Sequence, residues 1–128
     1  MKIILTKEES EKHFYNALCN GSSLADCGSI DYAVKDYKAA KRNFKKLHSG
    51  ESPCLEDVWM QILRDGKSLR YVDHEDKDMN RTITLKMVHD RVAKTPLTHL
   101  VDAVNENDDA TTAYVILQQV IFDEQIFG

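Results

Sequence analysis

The chain has 128 residues, the usual length of one domain, with 42% hydrophobic and 30% charged side chains, a balance that argues against global disorder. A chain of this length buries roughly two-thirds of its unfolded surface, so it needs no disulfide or metal staples. The net charge of −4 disfavours non-specific DNA binding, and no apolar run approaches the roughly 18 residues of a membrane span.

The start, MKIILTKEES, turns charged too soon to read as a signal peptide or a membrane anchor. With an odd set of three cysteines (Cys19, Cys27 and Cys54), reduced thiols in a cytoplasmic protein are expected. Charge is unevenly spread. Residues 1–50 hold nine Lys/Arg against six acids, residues 51–128 hold eight against fifteen, and no lysine or arginine follows Lys94. A protein polarised in this way would meet a basic surface with its C-terminal half.

Thr6 to Glu9 reads as a capping box that opens a helix over about residues 7–19, with Phe14, Ala17 and Leu18 inward and Asn20-Gly21 as its end. Gly21 to Ile30 reads as loop from its composition. A second helix is predicted from Val34 to His48, where Val34, Tyr37, Ala40, Phe44 and Leu47 repeat at spacings of three and four. A third is predicted to start with Ser52 as N-cap and Pro53 in its first turn, to bury Leu55, Val58, Trp59, Ile62 and Leu63, and to stop at Gly66.

The period then changes to two. Leu69 and Tyr71 alternate with Arg70 and Val72, and Ile83 and Leu85 with Thr82 and Thr84, giving one antiparallel hairpin over about residues 68–85. Alone it would be marginal, so it must pack on helices. Thr84 is expected to cap a short helix to about Ala93, Thr95 the next one, and Asp108 or Asp109 a last one to about Ile121. That last helix is apolar on most of its circumference, which places it at the centre of the core or under a partner, a second copy of the chain in a homo-oligomer included. The sum is a helix-rich α+β single domain over residues 1–128, with five to six helices and a two-stranded antiparallel hairpin.

Four groups of residues bear on chemistry. The acidic turn Asp73, His74, Glu75, Asp76 and Asp78 lacks the glycine and glutamate that a calcium loop needs at its sixth and twelfth positions, where Asp78 and Thr84 stand. The bland reading is a solvated turn whose charges discourage edge-to-edge pairing; the functional one is a charged protrusion that touches a partner. Cys19, Cys27, His48 and Cys54 could in principle supply a Cys₃His zinc set, but their spacings of seven, twenty and five residues match no zinc-finger pattern, and separate thiols are expected. The helix bearing Lys35, Lys38, Lys41, Arg42, Lys45 and Lys46 is the only candidate nucleic-acid patch, and without stacking aromatics it reads as a solvated face. At the C-terminus, Asp108, Asp109, Asp123 and Glu124 accompany Phe122 and Phe127; the bland reading buries these aromatics inside the domain, and the functional one makes them apolar anchors of an interface rimmed by charge. No catalytic motif, metal site or cofactor is expected.

EDVWMQILRDGKSLRYVDHED followed by TITLKMV, with the ending ATTAYVILQQVIFDEQIFG, resembles a loose group of small proteins carried by phages and mobile elements. That group pairs a Trp/Leu helix ending in Asp-Gly with a hairpin bearing an Asp-x-Glu turn, and closes with an ILQ helix and Phe-Gly dipeptides. The likeness spans about residues 52–90 and 108–128, and Asp123 stands where the group often has glycine. It implies no catalytic activity. It does imply a protein of the host cytoplasm that binds and blocks a host protein or complex, such as a CRISPR-type defence effector or a nucleic-acid-processing machine, with an acidic surface. The binding residues would be Asp73, Glu75, Asp76, Asp78, Asp108, Asp109, Phe122, Asp123, Glu124 and Phe127. The alternative is a small metal-dependent enzyme or ligand-binding protein built on the Asp73–Asp78 cluster.

Overall fold

Among residues 3–21, 24–107 and 109–127, which the computed structural model describes, the chain opens on helix α1 (Lys7–Asn20). Its capping box is formed as the sequence predicts: the Thr6 amide donates to Glu9 Oε1 at 2.9 Å, and the Glu9 amide to Thr6 Oγ1 at 3.1 Å. Phe14, Ala17 and Leu18 are buried on its inner side, together with Ser10 and His13.

Helices α2 (Val34–Leu47) and α3 (Leu55–Arg64) form a packed pair. The apolar stripe of α2 is buried only in its middle, at Ala40 and Phe44, while Val34 and Leu47 at its ends stay open. A carboxylate locks the pair: Asp65 accepts from Asn43 Nδ2 at 3.0 Å and from the buried Gln61 at 2.8 Å. Helix α3 starts two residues later than Ser52 and Pro53 imply, with Cys54 at its N-cap. Asp57 Oδ2 accepts the Cys54 amide at 3.1 Å, so the acid three residues into the helix fixes the start.

The sheet has three strands, one more than the hairpin read from the sequence. Strand β1 (Gly28–Asp31) pairs antiparallel with β2 (Leu69–Asp73), which pairs antiparallel with β3 (Arg81–Ile83). In β1 only Ile30 is a large apolar residue, so no alternation marks it, and its pairing with residues some forty positions away makes it a strand. Gly28 is opposite Asp73, where a Cβ would come within 2.6 Å of the Tyr71 ring and of the Val72 carbonyl oxygen. Only glycine lets the two strands close over that ring.

Thr84 caps α4 (Leu85–Arg91), which passes into a 3₁₀ turn, Val92–Lys94. Thr95 does not cap α5 (Leu97–Val104). Its amide closes the 3₁₀ turn on the Val92 carbonyl, its hydroxyl is buried without a partner among the described residues, and Pro96 takes the N-cap position. Helix α5 buries Leu100 and Ala103 and turns Leu97, Val101 and Val104 outward. Asp109 caps the last helix, α6 (Ala110–Phe122), accepting the Thr112 amide at 2.9 Å; Asp108 lies outside the described residues. Helix α6 is the centre of the core. It packs most heavily on α1 and also on α5, α4 and β3, and its residues 116–121 are all buried.

Glu11 ties three helices together. From α1 it accepts Arg64 Nε of α3 at 2.7 Å and meets His89 Nε2 of α4 at 2.9 Å. Partial burial alone would raise its carboxyl, but hydrogen bonds from Arg64 and His89 outweigh that and hold it below the ordinary glutamate value. A carboxyl lowered by folding stabilises the native state above its unfolded pKa and gives up that contribution as pH falls through the folded value. Glu11→Gln is therefore expected to melt several degrees below the wild type at neutral pH, with the gap narrowing toward about pH 3. Thermal melts of both proteins across this range check it, and a gap that stays constant would contradict it.

Candidate functional site

The hairpin tip is built by its own acids. Asp73 ends β2, and its carboxylate accepts from the Tyr71 hydroxyl at 2.7 Å, the Glu75 amide at 3.1 Å and the Asp76 amide at 2.9 Å. Its own amide donates to Asn80 Oδ1 at 2.7 Å across the turn. Asp76 in turn accepts the Asp78 amide at 2.9 Å and opens a 3₁₀ turn, Lys77–Met79, while Arg81 Nη1 donates to the Asp78 and Asn80 carbonyls. These side chains satisfy backbone groups that a tight turn would otherwise leave to water. The Asp76 amide first, and the Tyr71 hydroxyl next, hold the Asp73 carboxyl below the ordinary aspartate value.

The acids of the tip thus divide in two. Asp73 and Asp76 are spent on the turn itself. Glu75 and Asp78 have exposed side chains with no hydrogen bond or ion pair among the described residues.

Behind the tip lies an aromatic row. Tyr71 is fully buried, and its ring meets Phe122 edge-on at 5.3 Å; Phe122 meets Phe127 edge-on at 5.7 Å. The Arg81 guanidinium lies over the Phe122 ring at 5.4 Å. Phe122 is therefore a packed link rather than a free anchor. Asp73, Tyr71, Phe122 and Phe127 form one continuous chain of contacts from the hairpin to the tail, which brings together residues read separately in the sequence.

The tail turns at Asp123, which adopts φ 58, a left-handed conformation that aspartate tolerates better than most residues. Its carboxylate is not free: Lys94 Nζ is 3.3 Å away and Gln119 Nε2 donates at 3.3 Å. Beyond the turn the chain folds back over α6. The Ile126 and Phe127 amides both donate to Oε1 of the buried Gln118 at 2.8 Å, and Gln125 donates to the Val115 carbonyl at 2.9 Å. Glu124 is exposed and unpaired among the described residues. Asp109 is used as a cap at the opposite end of α6, about 20 Å from Asp123 by helix rise.

The folded-back tail forms one wall of a cleft of about 530 Å³ lined by Asp26, Cys27, Tyr114, Val115, Gln118 and Phe127, among others. The cleft adjoins the tip, because the Cys27 carbonyl accepts the His74 amide at 2.9 Å. Cys27 Sγ lies 3.8 Å from the Tyr114 hydroxyl, and burial, with Cys27 and Asp26 close by, pushes the Tyr114 phenol up to about 12. Nothing in the sequence marks this cleft, since residues 26, 114 and 127 meet only in the fold. A second cleft, of about 430 Å³, runs between α1, α3 and β1, with Leu18, Ile30, Trp59 and Leu117 in its walls.

The Cys₃His set does not assemble: Cys19 and Cys54 both lie beside the Tyr15 hydroxyl, Cys54 Sγ at 3.6 Å, but Cys27 is at the tail cleft and His48 stacks on Phe44 at 4.0 Å. Among the described residues, no group of three or more His, Cys, Asp or Glu is arranged to hold a metal ion. Lys35, Lys38, Lys41, Arg42, Lys45 and Lys46 are all exposed along α2. Among the described residues, no helix is long and apolar enough to cross a membrane.

The chain matches no protein-family model, and neither a curated protein nor a solved structure is similar enough to count as a match.

The division of the tip acids has a direct consequence for stability. Asp73→Ala strips three donors of their acceptor and is expected to lower the Tm by several degrees, whereas Glu75→Ala should move it by no more than about 2 °C. Calorimetry on the two variants checks this; equal effects would contradict the assignment.

Proposed function

We propose that this protein is a non-enzymatic binding protein that covers a basic surface of a partner with its hairpin tip and C-terminal tail. The observation that carries this reading is the contact chain Asp73–Tyr71–Phe122–Phe127. It holds the tip and the tail as one preorganised unit while Glu75, Asp78 and Glu124 remain exposed and, among the described residues, unpaired. Preorganisation lowers the entropy cost of docking, and unneutralised acids give charge complementarity, which acts mainly on association rate and specificity. No Lys or Arg follows Lys94 in the chain; Lys94 itself is matched to Asp123, which leaves Glu124 as the exposed acid of the tail.

The partner class that fits is a host protein or complex with a basic groove, in the cytoplasm, of the kind that binds nucleic acid. A defence effector such as a CRISPR-type complex is the leading example, in keeping with the likeness to phage accessory proteins. Asp73, Asp76, Asp123 and Phe122 shape the surface, and Glu75, Asp78, Glu124 and Phe127 present it.

The reading is tested by affinity capture from lysate of the native host, comparing the wild type with a Glu75→Gln/Asp78→Gln/Glu124→Gln variant at low and high salt. The expected result is a discrete basic partner retained by the wild type, released by salt within the range where the Debye length shrinks from roughly 10 to 3 Å, and missing from the variant. The same proteins on both baits, insensitive to salt, would contradict it.

A further inference from the structure

The tail cleft has the composition of a receptor for a cation. Two of its lining residues are aromatic, Tyr114 and Phe127; one is a carboxylate, Asp26; and no Lys, Arg or His lines it. Asp26 is exposed and makes no hydrogen bond or ion pair among the described residues, so its charge is uncompensated. The tail wall of the cleft is fixed by hydrogen bonds to α6. Gln118, itself fully buried, fixes the Ile126 and Phe127 amides, and Gln125 pins the tail to the Val115 carbonyl. Phe127 thus stands as a fixed wall rather than a loose end.

The same aromatic row already carries a guanidinium. Arg81 covers Phe122 at 5.4 Å, and Phe122 supports Phe127 edge-on. Phe127 itself has no cation over its ring among the described residues. We propose that the cleft between the tail, α6 and the segment before β1 receives an arginine side chain of the protein partner, with the guanidinium against Tyr114 and Phe127 and paired to Asp26. A guanidinium suits this lining better than an ammonium. It is planar, weakly hydrated and able to stack on a ring while its edge donates to a carboxylate. The volume of about 530 Å³ accommodates the whole side chain with room for its neighbours.

The inference rests on the reading of this face as a docking surface, and names the partner chemistry it selects. Its test needs no partner. Isotope-labelled protein is titrated with argininamide, lysinamide and the neutral isostere citrullinamide, and followed by two-dimensional NMR. Argininamide is expected to shift resonances of Asp26, Cys27, Tyr114 and Phe127 in a saturable way, lysinamide to bind several-fold more weakly, and citrullinamide to leave them in place. Asp26→Asn and Phe127→Leu should each weaken argininamide binding several-fold, while Glu51→Gln, at an exposed position between α2 and α3, leaves it unchanged; the spectra also show that each variant is folded. Equal shifts with citrullinamide, shifts confined to Glu75 and Asp78, or binding that survives Asp26→Asn would each overturn the proposal. Failure here with partner capture intact removes the arginine site but leaves the docking surface; the reverse outcome removes the docking surface and leaves the site.

Discussion

The placement of one buried phenol governs much of this molecule. Tyr71 lies in the central strand with its ring wholly enclosed, and its hydroxyl must find an acceptor there, because a buried unpaired hydroxyl costs on the order of 1–3 kcal/mol. Asp73 is that acceptor, and in the same act it takes the two amides that shape the hairpin tip. The ring imposes the second condition. Gly28 is required on the neighbouring strand, because any side chain there would strike it. Its edge then supports Phe122, and through it Phe127 and the tail. Sheet, tip and tail are thus consequences of where one side chain is buried.

The helices were largely legible in the sequence, because their signals are local. Thr6 with Glu9, Thr84 and Asp109 cap as their types and spacings indicate, and α6, apolar on most of its circumference, takes the central one of the two places its sequence allows. Where two local signals competed, the weaker-looking one won. Ser52 and Pro53 suggest a start for α3, yet the reciprocal bond between Asp57 and the Cys54 amide sets it. At Thr95 the chain uses the backbone amide to finish one turn and leaves the hydroxyl unpaired. Strand β1 could not be seen, because its four residues carry no alternation and its partner is far along the chain. The resulting sheet has three strands where period-two patterning shows two.

The candidate site was legible only as a composition. The acids of the tip and the aromatics of the tail stand out in the sequence, but their division of labour depends on geometry. Asp73 and Asp76 are structural, Asp123 is matched by Lys94, Asp109 caps a helix, and Phe122 is sandwiched among Tyr71, Phe127 and Arg81. Among the described residues, the exposed and unmatched acids of tip and tail are fewer than the count of acids suggests. Asp26 and Tyr114 join it across the fold, which no spacing rule could reveal.

The central claim, that Tyr71 couples the hairpin tip to the rest of the domain, is tested most directly by hydrogen exchange on Tyr71→Phe. That change removes a single hydroxyl and preserves the ring, so the sheet and the Phe122 contact remain. The account predicts several-fold faster exchange of the Glu75 and Asp76 amides, with the strand amides of β2 and β3 unchanged. Unaltered exchange at Glu75 and Asp76 would show that Asp73 holds the tip without Tyr71, and would contradict it.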